Sequence, residues 1–334
     1  MNNQLDIYLH LLMLAATSQC AGPTTLPTII TASSNTAPSN CVVKMKGHSN
    51  DVRECSFSND RRLLVTAADD NTARLWDVDQ QRCIATLQSH SYTVSSCKFS
   101  TDDSLIASAS NDKTICLWDV KSHRCIATLN GHPGMITGCA FSVNGAVLAS
   151  ASYDFTVRLW HMKSFITVAT LQEHRGPVHG CDISRHGVLA STSQDMTMRL
   201  WDMNTQQCIT VLNGHTNWCK NCHFTADGRL LASTSWDKTV RLWDMRTSHS
   251  IATLKDSNSY TWQCSFSCDG AYVGAACSGD HVARVWDVKT FRCIATLKHD
   301  DKVFACSFSS NGTIGTAGGD LYGSSKDYTV HLWQ

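Results

Sequence analysis

Charge is what this chain has least of. Only 17% of its 334 residues are charged, and 28 Lys plus Arg offset 28 Asp plus Glu, for a formal net charge of zero. A protein that neutralises many phosphates shows a basic excess or stripe, so the balance argues against direct nucleic-acid binding. Long apolar runs are also missing. Residues 7–16 are mostly apolar, but they fall far short of the roughly 20 residues that a membrane-spanning helix needs, which argues against membrane insertion. The first six residues hold Asp6 and no Lys or Arg, so the basic start of a secretory signal is missing. Residues 17–40 are rich in Ser, Thr, Pro and Ala without a single charge, and residues 1–40 read as a disordered tail, with a processed signal as the alternative. No phosphate-binding Gly-Lys-Ser/Thr loop, nucleophile elbow or zinc-protease helix occurs, so no cofactor is expected.

Cysteine, by contrast, is abundant, at 17 residues. Position decides what it means. Cys55, Cys97, Cys139, Cys181, Cys222, Cys264 and Cys306 each stand two residues before Phe57, Phe99, Phe141, Ile183, Phe224, Phe266 and Phe308. Such regular placement makes each thiol a small apolar residue at one register of a repeated strand. Equivalent residues on neighbouring repeats are too far apart for a disulfide, and the total is odd. A reducing compartment, cytosol or nucleus, is the expectation.

The repeat itself dominates the sequence. Trp76, Trp118, Trp160, Trp201, Trp243, Trp286 and Trp333 are spaced by 42, 42, 41, 42, 43 and 47 residues. An Asp precedes each by six, at Asp70, Asp112, Asp154, Asp195, Asp237, Asp280 and Asp327. Nine residues before the Phe/Ile positions stand His48, His90, His132, His174, His215 and His299, with Ser257 in repeat six. Alternating apolar residues and turn pairs such as Asp227-Gly228 divide each repeat into four strands, in repeat five at 218–225, 229–235, 239–244 and 250–254. Four strands every 42 or so residues describe a propeller blade.

With Gly-His at Gly47-His48, Gly131-His132 and Gly214-His215, and Trp-Asp at Trp76-Asp77, Trp118-Asp119, Trp201-Asp202, Trp243-Asp244 and Trp286-Asp287, residues 41–334 resemble the WD-repeat family over nearly nine-tenths of the chain. The resemblance implies an all-β, seven-bladed propeller of four-stranded antiparallel blades. It also implies a buried hydrogen-bonded tetrad in each blade, formed by the loop His, a Ser/Thr, the turn Asp and the Trp. Carried over residue by residue, the tetrads are His48, Thr66, Asp70 and Trp76; His90, Ser108, Asp112 and Trp118; His132, Ser150, Asp154 and Trp160; His174, Ser191, Asp195 and Trp201; and His215, Ser233, Asp237 and Trp243. These sets resemble a catalytic triad in composition, but repetition within five structural units argues for architecture. An enzyme would need a titratable cluster in the channel beyond the tetrads, and the sequence displays none.

Residues 41–45 match a fourth strand and residues 328–333 a third, so the two ends are expected to pair and close a monomeric ring. Repeat six lacks both His and Ser/Thr partners, having Ser257 and Ala276, which leaves Asp280 few designated partners. Repeat seven carries a seven-residue insertion, 321–327, which reads either as a functional loop or as an artefact of the gene model.

In the family, the residues three and five after the loop His, and the one before the turn Asp, line the top face around the channel. Here those positions give Trp218 and Lys220, Tyr260 and Trp262, Lys302 and Phe304, Tyr153 and Trp236, with Asp51, Arg53, Asp69, His179 and Gln194. All three tryptophans not explained by the repeat therefore converge on one surface. Trp, Tyr and Arg dominate interface hot spots, at about 2 kcal/mol or more each, so this face is expected to bind peptide segments or domains of other proteins. The competing reading is that the rings pack on one another and plug the channel mouth. His215, Cys219, Cys222 and His223 have a zinc-like spacing, yet two cysteines three apart on one strand should point to opposite faces, so no metal site is expected. Trp243-Asp244-Met245-Arg246 resembles the signature by which some WD-repeat proteins dock on cullin-RING ubiquitin ligases, with Asp244 and Arg246 in contact. A substrate-receptor role is the alternative to a plain scaffold.

Overall fold

Short alternating strands with tight turns leave little choice but a meander. In blade five the Thr225 hydroxyl donates to Asp227 at 2.7 Å, and Gly228 takes the left-handed φ of +70° that the turn requires. The computed structural model describes residues 43–255, 258–319 and 328–334. They form seven four-stranded antiparallel sheets, six of them simple meanders and the seventh completed by a strand from the other side of the repeats. Blade five runs Cys219–Phe224, Leu230–Ser235, Val240–Asp244 and His249–Leu254, each end within one residue of its expected place. The tail 1–40, the insertion 321–327, Ser257 and Asp327 lie outside the described residues.

The innermost strands, Val52–Phe57, Val94–Phe99, Ile136–Phe141, Val178–Ile183, Cys219–Phe224, Thr261–Phe266 and Lys302–Phe308, pack against one another around a central channel. All seven break register at the same place, between residues such as Val52 and Glu54 or Cys219 and Asn221, which is a β-bulge. The core lies between blades rather than within them. Val65, Leu75 and Leu87 of blade one, for example, cluster with Val94, Cys97, Ile106 and Trp118 of blade two. The described cysteines are free thiols, and the seven that precede the Phe/Ile positions are all buried.

Closure is by a strand from each end of the chain. Val43–Met45 pairs antiparallel with Val330–Trp333, with Val43 opposite Leu332 and Met45 opposite Val330. Met45 and Leu332 then join Val52, Leu64 and Trp76 of blade one in a single core cluster.

The five tetrads assemble as the resemblance implies. In each, His Nδ1 meets the Asp Oδ2 at 2.6–2.8 Å and His Nε2 meets the Ser/Thr hydroxyl at 2.7–2.8 Å. The Trp indole donates to that same hydroxyl oxygen at 2.8–2.9 Å. An indole can only donate, so the hydroxyl hydrogen is directed to Nε2 and the imidazole proton to the carboxylate. The other carboxylate oxygen takes the backbone N–H and hydroxyl of a Thr two residues on, as in Thr156 on Asp154 at 3.0 and 2.6 Å. Burial alone would raise these carboxyls. The hydrogen bonds from His132 and Thr156 outweigh it and hold Asp154 at about 2.

Blade seven adds a sixth partial set, His299–Thr316–Trp333, with contacts of 2.8 and 2.7 Å. In blade six, where Asp280 lacks the designated Ser/Thr, a surrounding group compensates. The Asp280 carboxylate pairs with the Arg284 guanidinium at 2.9 Å, four residues on and in the third strand of the blade.

Two measurements check this architecture. A chain starting at His48 should melt lower than the full chain by more than about 5 °C, since it loses the closing strand; equal melting would mean that the ring does not depend on it. Ser233→Ala strands both His215 Nε2 and Trp243 Nε1 without a partner, so denaturant unfolding should show a loss of about 2–4 kcal/mol. A loss below about 0.5 kcal/mol would mean that the tetrad is not a stabilising network.

Candidate functional site

The bulge in each innermost strand decides what faces the channel. Strict alternation would place every second residue there. The extra residue instead brings neighbours to the same wall, Arg53 with Glu54 and Lys220 with Asn221, around a cavity of about 350 Å³. Where blades three, four and five meet, the wall is made by Gly138 and Gly180. A Cβ on Gly180 would come within 2.9 Å of the Lys220 carbonyl oxygen, so only glycine lets these strands approach.

The mouth of this cavity is an unbroken run of rings. Tyr153 meets His179 edge-on at 5.4 Å between ring centres, and His179 lies 6.1 Å from Trp218. Trp218 stacks on Trp236 at 4.4 Å, and Trp236 stacks in turn on Tyr260 at 5.1 Å. Trp262 meets Trp236 edge-on with ring centres 5.7 Å apart, and Phe304 meets Trp262 in the same way at 5.2 Å. Arg53 ends the run, its guanidinium 4.9 Å from the Phe304 ring centre and doubly hydrogen-bonded to Asp69. Each such ring pair contributes about 0.5–1.5 kcal/mol beyond its buried area, so the mouth is a rigid assembly.

Lys220 reaches into this run. Its Nζ lies 4.8 Å from the Trp262 ring centre and 5.3 Å from that of Trp236, and it donates to His179 Nδ1 at 3.3 Å. Burial, and then repulsion from Arg53, pull its amine down to about 7. Burial and the charge of Lys220 take His179 down to about 3, so that imidazole is neutral.

Of the expected face residues, the structure brings Arg53, Asp69, Tyr153, His179, Trp218, Lys220, Trp236, Trp262 and Phe304 together around the cavity. Tyr260 stands outside it, 46% exposed on the face of Trp236. Phe304 is not a surface residue: it is 1% exposed, covered by Arg53 and Trp262. Lys302, Asp51 and Gln194 do not line the cavity. The rings do pack on one another, as one reading expects, and the packed run leaves Tyr260 exposed at the mouth. Met135, which also lines the cavity, occupies the third position after its loop His and was legible by the same rule.

Below the mouth lies a titratable cluster that sequence reasoning missed, which corrects the expectation of none. Glu54 pairs with Lys98 at 2.7 Å, accepts from Gln263 at 3.0 Å, and takes the Cys97 N–H of the next blade at 3.1 Å. Asp182 takes the Phe224 N–H at 2.8 Å, and His223 Nδ1 the Phe266 N–H at 3.3 Å. Burial works against the Lys98 charge, but Glu54 outweighs it and holds that amine above the usual lysine range. These groups form a girdle that ties blade one to two, four to five and five to six, with Gln263 of blade six reaching across to blade one. They escaped notice because they sit six and eight residues after the loop His, a parity that only the bulge brings to the channel side.

The same bulge corrects the expectation for Cys219 and Cys222. They share one buried cluster instead of facing opposite ways. His215 is held by its tetrad, and no group of three metal-ligating side chains occurs among the described residues. Arg246 is exposed at the turn after the third strand of blade five, where Asp244 accepts its backbone N–H at 2.7 Å.

The family model for the WD domain, G-beta repeat, matches the chain seven times, over residues 39–77, 81–119, 123–161, 165–202, 206–244, 248–287 and 291–334. No curated protein matches it.

The Lys220 environment makes a signed prediction. Its pKa falls on folding, so the unfolded chain binds more protons and folding carries the cost of the buried ammonium at and below neutral pH. Lys220→Met should therefore melt above wild type near pH 6–7, with the advantage shrinking toward about pH 10 as unfolded lysine also deprotonates. A variant that melts lower at every pH would show that the two indoles overcompensate the buried charge.

Proposed function

The chain belongs to the WD-domain, G-beta repeat family, and from that premise we propose that it is a non-catalytic scaffold whose channel mouth binds segments of other proteins. Propellers of this family are generally protein-interaction scaffolds. The observation that carries the reading further is the aromatic run Trp218–Trp236–Trp262 with Tyr260 stacked outside it. Rigid rings, already ordered by one another, lose little conformational freedom when a partner covers them. The free thiols of the described cysteines support a reducing compartment, cytosol or nucleus.

A second reading, a substrate receptor of a cullin-RING ligase, is supported by the exposure of Arg246 and by Asp244 fixing the turn that presents it. In that reading Arg246 docks the ligase and the mouth holds the substrate.

A comparative pull-down separates these. Baits are the wild-type chain, a Trp218→Ala, Trp236→Ala, Trp262→Ala variant, and Arg246→Ala, each first shown to melt like wild type; Tyr260→Ala is a milder probe of the same surface. A set of proteins lost only from the tryptophan variant supports the mouth as the binding surface. Identical lists from wild type and that variant would sink it, and a cullin adaptor lost only from Arg246→Ala would support the receptor reading.

A further inference from the structure

Two side chains of the aromatic cage carry donors with no acceptor, and a third is a lysine. Lys220 has no lone pair to offer as an ammonium, so His179 Nδ1 accepts from it and the imidazole proton resides on Nε2. That Nε2–H and the indole N–H of Trp236 are both buried, and neither has an acceptor among the described residues. His179 as a whole is only 5% exposed. Lys220 has no carboxylate partner there either, and its charge is held between two indole rings.

Every acidic group around the cavity is already committed. Asp69 from the turn of blade one is held by Arg53, Glu54 is paired with Lys98 of blade two, and Asp182 of blade four takes the Phe224 N–H. His223 of blade five is engaged by the Phe266 N–H. Two buried N–H groups without an acceptor and a lysine without a carboxylate partner thus line one cavity, at a cost to stability and with no use inside the fold. What this arrangement lacks is an anion with acceptor oxygens.

The lining charges set how large that anion's charge should be. Arg53, Lys98 and Lys220 balance Glu54, Asp69 and Asp182 around the cavity, so a monoanion adds one negative charge where a phosphate would add about two. A single lysine also lacks the forked guanidinium geometry suited to phosphate, and Arg53 is taken by Asp69. A cavity of about 350 Å³ admits one side chain but no folded element. Outside it, Tyr260 offers an apolar landing for the flanking residue of an extended segment.

We propose that the mouth is a carboxylate subsite, in which an Asp or Glu side chain of a partner segment seats on Lys220 between Trp236 and Trp262. This rests on the reading of the mouth as a peptide-binding surface and names its anchor. Seating the anion restores the lysine's preference for its charged form, so binding takes up a proton near neutral pH. Affinity is therefore highest below pH 7 and falls as pH rises.

The test uses the full chain, ¹⁵N-labelled, with the tryptophan indole N–H resonances assigned. Probes are glutamate blocked as its N-acetyl methylamide, glutamine blocked in the same way, and free acetate. Blocked glutamate should shift the Trp236 and Trp262 indole signals saturably, with affinity weakening about tenfold or more between pH 6 and pH 9 and lost in Lys220→Met. Trp236→Phe, which keeps a ring but removes the N–H, should weaken it severalfold.

Equal shifts from blocked glutamine, no response to blocked glutamate, or unchanged binding by Lys220→Met would overturn the subsite. Acetate binding as tightly as blocked glutamate would overturn the peptide source in favour of a free acid. A peptide array keeps the two claims apart. Sequences held by wild type and lost from the triple tryptophan variant, but not enriched in Asp or Glu, would leave the binding surface standing and sink its acidic anchor.

Discussion

Removing a carboxylate from water costs several kcal/mol unless its oxygens are met, and this chain does so in blade after blade. The Asp of each tetrad spends one oxygen on histidine and the other on a threonine two residues on. That fixes the turn tightly enough to hold the residue after the Asp in a left-handed conformation, at Asn71, Lys113, Phe155, Met196 and Lys238 with φ of 65–73°. It also fixes the residue before it, and that residue is Asp69, Asn111, Tyr153, Gln194 or Trp236. The histidine does the same for its own loop, three and five residues before the side chains of the mouth. The interaction that holds the tetrad blades together is thus also the clamp that aims the residues of the mouth.

Blade six shows what happens when the clamp is rebuilt. Its Asp280 turns to Arg284, and Ser278, two residues before that Asp, receives the indole N–H of Trp262 at 2.9 Å. A mouth residue has become part of the support. Trp262 is consequently fixed by a hydrogen bond where Trp236 is fixed by rings alone, its indole N–H unmatched. Polar groups in the tetrads and girdle are matched closely, whereas the aromatic cage is left with donors to spare at His179 and Trp236.

The fold was legible because each repeat states it independently. Seven Trp residues in phase, each with an Asp six before, leave little freedom in strand order, and the closing pair Val43–Met45 with Val330–Trp333 followed from where the phase begins. The mouth was legible in part. Counting from the loop His located Trp218, Lys220 and Trp262, but gave no hint that Phe304 would be covered by Arg53, since that depends on how two blades meet. Glu54, Lys98, Asp182 and His223 were illegible for a simpler reason. A bulge adds one residue to the count without a fixed sequence signature, and it reverses the parity on which inside and outside are assigned.

Ring closure also has a meaning in time. Blades one to six each draw their four strands from one short stretch of chain, so their pairings can form as soon as that stretch exists. The seventh cannot, because Val43 must wait for Leu332. Until that strand is made, Met45 and the apolar flank of blade one therefore stay uncovered, so the strand that opens the ring is sealed only by the one that closes it.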